Sequence, residues 1–94
     1  MAEILYDLCV ARKKGGYNPI GCGFGTITDA RKDARKKCAE TKDDIYIADA
    51  SSVRGWHVLG IVRYIPRNDE YVWIHGQRAV SILKKDGTLG TKLM

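Results

Sequence analysis

Only one stretch of this chain carries helical periodicity, and segments that read as strands flank it on both sides. Ile27, Ala30, Ala34 and Cys38 fall on one narrow stripe at helical spacing. Arg31, Lys32, Arg35 and Lys36 are expected on the opposite, exposed side. The hydroxyl of Thr26 or Thr28 can cap the start by accepting a free first-turn N–H, and Asp29 adds favourable negative charge there. The spacing predicts a helix over Thr28 to Thr41. Its apolar stripe is made of small side chains, so the helix is expected to lie close against a sheet. A single helix with so narrow a face cannot enclose a core, so the sheet must supply the large side chains.

The rest of the sequence provides that sheet. Ile4 to Arg12 and Ile20 to Ile27 read as two strands joined by a hairpin with Gly15-Gly16 as its two turn residues. That register puts Cys9 opposite Cys22, Val10 opposite Gly21, Leu8 opposite Gly23 and Tyr6 opposite Gly25. After the helix, Ile45 to Ala50 is a short strand. Trp56 to Ile65 is a longer one, apolar on both faces and therefore expected at the centre. Pro66 to Asp69 is turn chemistry, Tyr71 to His75 a strand and Gly76-Gln77 a second turn. Ala79 to Lys85 follows, and Asp86-Gly87 is a hairpin signal that can return Thr88 to Leu93 as an edge strand open to pairing with a second copy. Short links between strands favour antiparallel neighbours. The fold class expected is α+β: a mostly antiparallel sheet of five to six strands, order ββαββββ, with one helix packed on one face and the uncovered part curling toward a half-barrel. At 94 residues there is room for one core, so 1–94 is read as a single domain.

Gly21, Gly23 and Gly25 alternate, which places them on one face of their strand. Either Tyr6, Leu8 and Val10 fold over the bare glycines, or a phosphate backbone or flat ligand lies there. The spacing does not fit the dinucleotide fingerprint, because its third glycine would fall at Thr26. Gly25 still leads into a helix N-terminus, so capture of a phosphorylated small molecule near Gly21 to Thr28 is one candidate.

Chemistry that needs a constellation finds little support. Cys9, Cys22 and Cys38 are an odd count, contain no C-x-x-C pair and argue against a secreted disulfide framework. With His57 or His75 they would make a zinc site only if the fold gathered them. The opening Met1-Ala2-Glu3, with Asp7 in the first apolar stretch, is unlike a signal peptide, and no apolar run reaches the length of a membrane span. The expectation is a cytoplasmic protein, not an enzyme, with no cofactor and no metal.

Charge is the more informative signal. Lys and Arg number 16 against 11 Asp and Glu, and the excess of +5 is spread along the chain. Arg31, Lys32, Arg35 and Lys36 on the helix, with Arg12, Lys13 and Lys14 at the hairpin tip, form the candidate surface for anions. Aromatic residues Tyr46, Trp56, Tyr64, Tyr71 and Trp73 accompany Arg54, Arg63, Arg67 and Arg78 on the later strands, either as core or as stacking surface. The first functional expectation is a non-catalytic module that contacts nucleic acid or a nucleoprotein. The alternative is a protein inhibitor or adaptor of the kind phages and other mobile elements encode, binding a host complex such as the CRISPR defence machinery. Arg67 and Tyr71 would anchor that protein interface.

Overall fold

The computed structural model describes residues 5–50, 57–76 and 79–92. The readings placed on Met1, Ala2, Glu3, Ile4, Arg54, Trp56, Gln77, Arg78 and Leu93 lie outside the described residues. The elements are β1 (Tyr6–Ala11), β2 (Tyr17–Phe24), α1 (Ile27–Thr41), β3 (Ile45–Asp49), β4 (His57–Ile65), β5 (Glu70–His75), β6 (Ala79–Leu83) and β7 (Leu89–Lys92). All strands join one antiparallel sheet in the order β2-β1-β3-β4-β5-β6-β7. The α+β architecture is the expected one. The sheet has seven strands instead of five to six, because the residues after Asp86-Gly87 do return along β6. The doubly apolar β4 takes the middle position in the order.

The helix begins where its cap predicts. Of the two candidate threonines it is Thr26 whose Oγ1 accepts the Asp29 N–H, at 3.1 Å. The helix ends at Lys42, which takes a left-handed conformation (φ 62°) and donates its N–H to the Cys38 carbonyl. Ala30, Ala34 and Cys38 have no exposed surface. They seat the helix on Leu8, Ile45, Ile47, Val62, Trp73 and Leu83 of the sheet. Burying a Leu, Ile or Val side chain of this kind contributes about 1.5–3 kcal/mol.

The first hairpin differs from the two-residue turn expected at Gly15-Gly16. Gly15 N–H donates to the Arg12 carbonyl and Arg12 N–H to the Gly16 carbonyl, so the loop is Lys13-Lys14-Gly15. This is a turn followed by a positive-φ residue, an arrangement that fits the twist of the strands as well as a two-residue turn does. The loop starts two residues earlier than expected and ends one earlier, which offsets the register by three, and two irregularities reduce the offset to one at Tyr6. Cys9 faces Pro19, Leu8 faces Gly21 and Tyr6 faces Phe24. The Cys9–Cys22 pairing and the expected glycine pairings are therefore corrected. Gly23 has φ 80°, which breaks the alternation of the three glycines. Only Gly21 is covered, by Leu8 and Phe24.

The far edge of the sheet reaches back to the helix. Its last hairpin, with the loop Lys85-Asp86-Gly87, closes like the first one. There the backbone of Gly87 (φ 89°) meets the Thr28 carbonyl, leaving no room for a side chain. On the face away from the helix, Cys9, Ala48 and Val72 are buried, and Ile61, Ile65, Ile74, Val80 and Ile82 are half-buried. No described helix or strand packs over that face.

One close approach fixes the middle of the core. Trp73 is 2% exposed, and its ring lies over Gly60 on the neighbouring strand. A methyl group at Gly60 would stand 2.5 Å from Trp73 Cη2 and 2.5 Å from the Ile74 carbonyl oxygen. Gly60→Ala is expected to lower the unfolding free energy by about 1–3 kcal/mol through overpacking. Denaturant titration measures this, and an unchanged midpoint would mean that the Trp73 ring does not need the space.

Candidate functional site

Strand register decides which charged residues meet. Cys9 pairs with Tyr46, Ile45 with Val62 and Ile65 with Glu70. The β1–β2 loop, the α1–β3 link and the β4–β5 turn therefore all lie at one end of the sheet. That end gathers Arg12, Lys13, Lys14, Lys42 and Arg67, all exposed. A shallow depression of about 500 Å³ lies among them, lined in part by Lys13, Lys42, Asp43, Asp44 and Tyr46. Of the two acids, Asp44 is neutralised by a two-pronged bond from Arg63 (Nε–Oδ1 3.0 Å, Nη2–Oδ2 2.7 Å). That bond holds the Arg63 pKa above its ordinary value.

The helix divides its cations differently from the expectation. Arg31 and Arg35 are not on the exposed side opposite the apolar stripe; both are half-buried and folded onto the sheet. Arg31 Nε donates to the Gly87 carbonyl (3.1 Å) and its guanidinium lies 5.5 Å from the Trp73 ring centroid. Arg35 Nε donates to the Leu83 carbonyl (3.1 Å) and stacks 4.3 Å from the Tyr71 ring. Burial lowers the Arg31 pKa. The sequence does contain the signal for this. At about 100° per residue, the stripe from Ala30 to Cys38 drifts toward Arg31 and Arg35, leaving only Lys32 and Lys36 truly opposite.

Lys32 and Lys36 are exposed along a groove of about 680 Å³ that they share with Phe24, Asp29, Asp33 and Lys85. Asp33 pairs with Lys37 one turn on, at 2.6 Å. The seven cations singled out in the sequence therefore occupy three places. Arg12, Lys13 and Lys14 are at the turn end, Lys32 and Lys36 on the outer helix, and Arg31 and Arg35 in the helix–sheet seam.

Two tyrosine pairs mark the same end. Tyr17 and Tyr46 meet edge to face with centroids 5.1 Å apart, and Tyr64 and Tyr71 meet tilted at 5.1 Å. Lys42 bridges to the second pair. Its Nζ donates to Tyr71 Oη at 2.9 Å and lies 4.1 Å from the Tyr64 centroid. The Tyr71 bond favours the charged lysine and raises its pKa. Tyr64 Oη donates to Asp69 Oδ1 at 2.8 Å, which raises the tyrosine pKa. Tyr71 and Arg67, expected as anchors, share this end. Arg67 projects from the turn, whereas Tyr71 is held between Arg35 and Lys42. Sequence reasoning missed Lys42 as the link, because its role depends on the left-handed cap that turns it toward the rings.

The cysteines do not meet. Cys38 is on the helix stripe facing the sheet, Cys9 is on the sheet face away from the helix, and Cys22 is exposed. Burial, then the Asp7 charge, pushes the Cys9 thiol up to about 11. Burial also raises Cys38. Among the described residues no group of three or more His, Cys, Asp or Glu is gathered, and no described helix is long and apolar enough to cross a membrane. Comparison with models of protein families, with curated proteins and with solved structures finds no match.

Thiol chemistry tests this arrangement. A disulfide reagent at neutral pH is expected to titrate one thiol per native chain quickly, Cys22, and all three after denaturation. Fast reaction of two thiols in the native protein would place Cys9 or Cys38 in solvent instead.

Proposed function

We propose that the protein is a non-catalytic binding module that contacts nucleic acid, alone or within a nucleoprotein, through its phosphates. One observation carries this reading: an excess of exposed cations that no carboxylate neutralises. Arg12, Lys13, Lys14, Lys32, Lys36 and Lys85 are exposed, and among the described residues none of them takes part in an ion pair. The helix and link acids best placed to cancel them are partly used, Asp33 by Lys37 and Asp44 by Arg63.

Lysines on flexible stems attract phosphates without reading bases, so the binding is expected to show little sequence preference. Contact centres on the turn end, with Arg12, Lys13, Lys14 and Lys42, and extends along the outer helix through Lys36 and Lys32. Arg31 and Arg35 serve as structural ties that hold the helix to the sheet.

The test is fluorescence anisotropy with labelled oligonucleotides over a salt series. Affinity is expected to fall steeply with salt. The triple variant Lys13→Glu, Lys14→Glu, Lys36→Glu alters only exposed side chains. Its log–log salt slope is expected to be shallower by about 3, with thermal unfolding unchanged. Wild-type affinity in that variant would end the reading.

A further inference from the structure

Resting on that reading, we infer that the favoured ligand is B-form duplex DNA, with the β1–β2 hairpin projecting as an arm into its major groove. β1 pairs with β3 only from Tyr6 to Cys9. Past Cys9 it keeps β2 alone, through Val10 with Asn18, Ala11 with Tyr17 and the two backbone bonds that close the loop. β2 is an edge of the sheet, so among the described residues no strand flanks this arm on either side. Two residues of strand carry it about 7 Å past the last β3 pair, and the loop extends it further. Each residue from Ala11 to Pro19 is exposed. The charge of the arm has one sign. Arg12, Lys13 and Lys14 stand at its tip, and the chain holds no acid between Asp7 and Asp29.

Shape selects among nucleic acids that offer the same phosphates. The arm is two strands about 4.8 Å apart, and a ribbon of that build enters the major groove of B-DNA, which is about 12 Å wide. The major groove of an RNA duplex is deep and too narrow, and a single strand has no groove. Inside the groove the three tip cations lie between two phosphate rails. The arm is already shaped for this. Arg12 N–H donates to the Gly16 carbonyl at 3.0 Å, Gly15 N–H to the Arg12 carbonyl at 3.1 Å and Arg12 Nη2 to Asn18 Oδ1 at 3.5 Å. Binding therefore has little ordering to impose. Tyr17 against Tyr46 braces the foot of the arm on β3. Lys42 shares the depression at that foot with Lys13. Lys36 and Lys32 lie about 9 Å and about 15 Å back along the helix from Lys42. These lysines meet the backbone outside the groove, so the arm chooses the duplex and the helix adds affinity common to every phosphate chain.

The experiment compares four probes of one sequence, about 16 nucleotides per strand: a DNA duplex, an RNA duplex, a single DNA strand, and a DNA duplex whose pyrimidines carry bulky C5 groups. Those groups fill the major groove and leave the phosphates in place. The plain DNA duplex is expected to bind at least about tenfold tighter than each of the other three. Arg12→Ala with Lys14→Ala is expected to erase that margin. Lys32→Ala with Lys36→Ala is expected to weaken all four probes by a similar factor and keep the margin. The arm inference would be overturned, with phosphate contact left standing, by any of three results: a filled duplex that binds as tightly as the plain one, an RNA duplex or single strand that binds as tightly or tighter, or a margin that survives in the Arg12 and Lys14 variant. No binding by any probe at low salt would overturn both readings. The wild-type comparison of plain and filled duplexes decides the point even if the arm variant fails to fold.

Discussion

The structure depends on how closely one helix lies against the sheet. Ala30, Ala34 and Cys38 are wholly buried, and none projects far enough to hold the two layers apart. Closeness on that line lets the flanking arginines reach the sheet, so that Arg31 and Arg35 donate to the carbonyls of Gly87 and Leu83. A larger residue in the stripe would push the helix outward and lengthen both bonds together. The thin helix face also leaves volume to fill. Trp73 fills it, and the bare backbone of Gly60 is what admits the ring. Small residues in the helix, a large ring in the sheet and a missing side chain beneath that ring are one packing solution.

The same seating sorts the charges. Cations on the flanks of the stripe are drawn into the seam, where they hydrogen-bond to carbonyls and lie over aromatic rings. Lys32 and Lys36, turned fully away, remain in water. At the far end of the helix, the left-handed cap directs Lys42 onto Tyr64 and Tyr71. The positive surface is therefore smaller than the basic residue count suggests, and it is concentrated where the turns converge.

Much of the fold was legible in the sequence because its signals are local. The Thr26 cap, the small-residue stripe and the doubly apolar β4 each depend on residues close in the chain, and each marks its element correctly. What escaped depends on distance or on where a loop begins. Gly15-Gly16 fits a two-residue turn as well as the end of a loop that starts at Lys13, and the choice between them shifts every β2 partner of β1. Gly60 and Trp73 meet only through the pairing of β4 with β5. The candidate site was half legible. Arg12, Lys13 and Lys14 were visible as a tip cluster, but their meeting with Lys42 and two tyrosine pairs needed the register of four strands. Arg31 and Arg35 were assigned to the wrong side of the helix because a stripe spaced by four residues drifts around the axis, and that drift was not followed.

The clasp of the last hairpin on the helix sets the order in which the molecule can be completed. The bonds from Arg31 and Arg35 span 56 and 48 residues. Until β6 and its loop have been synthesised and brought back, the helix has no carbonyls for those guanidiniums, and one side of the core is open. Contacts across such separations close late and slowly, because the ordering cost of the intervening chain comes before their reward. On the ribosome, the amino-terminal hairpin and helix therefore wait, partly exposed, for the carboxy-terminal strands. A nascent chain halted before Leu83 leaves that side of the core open to chaperones and proteases.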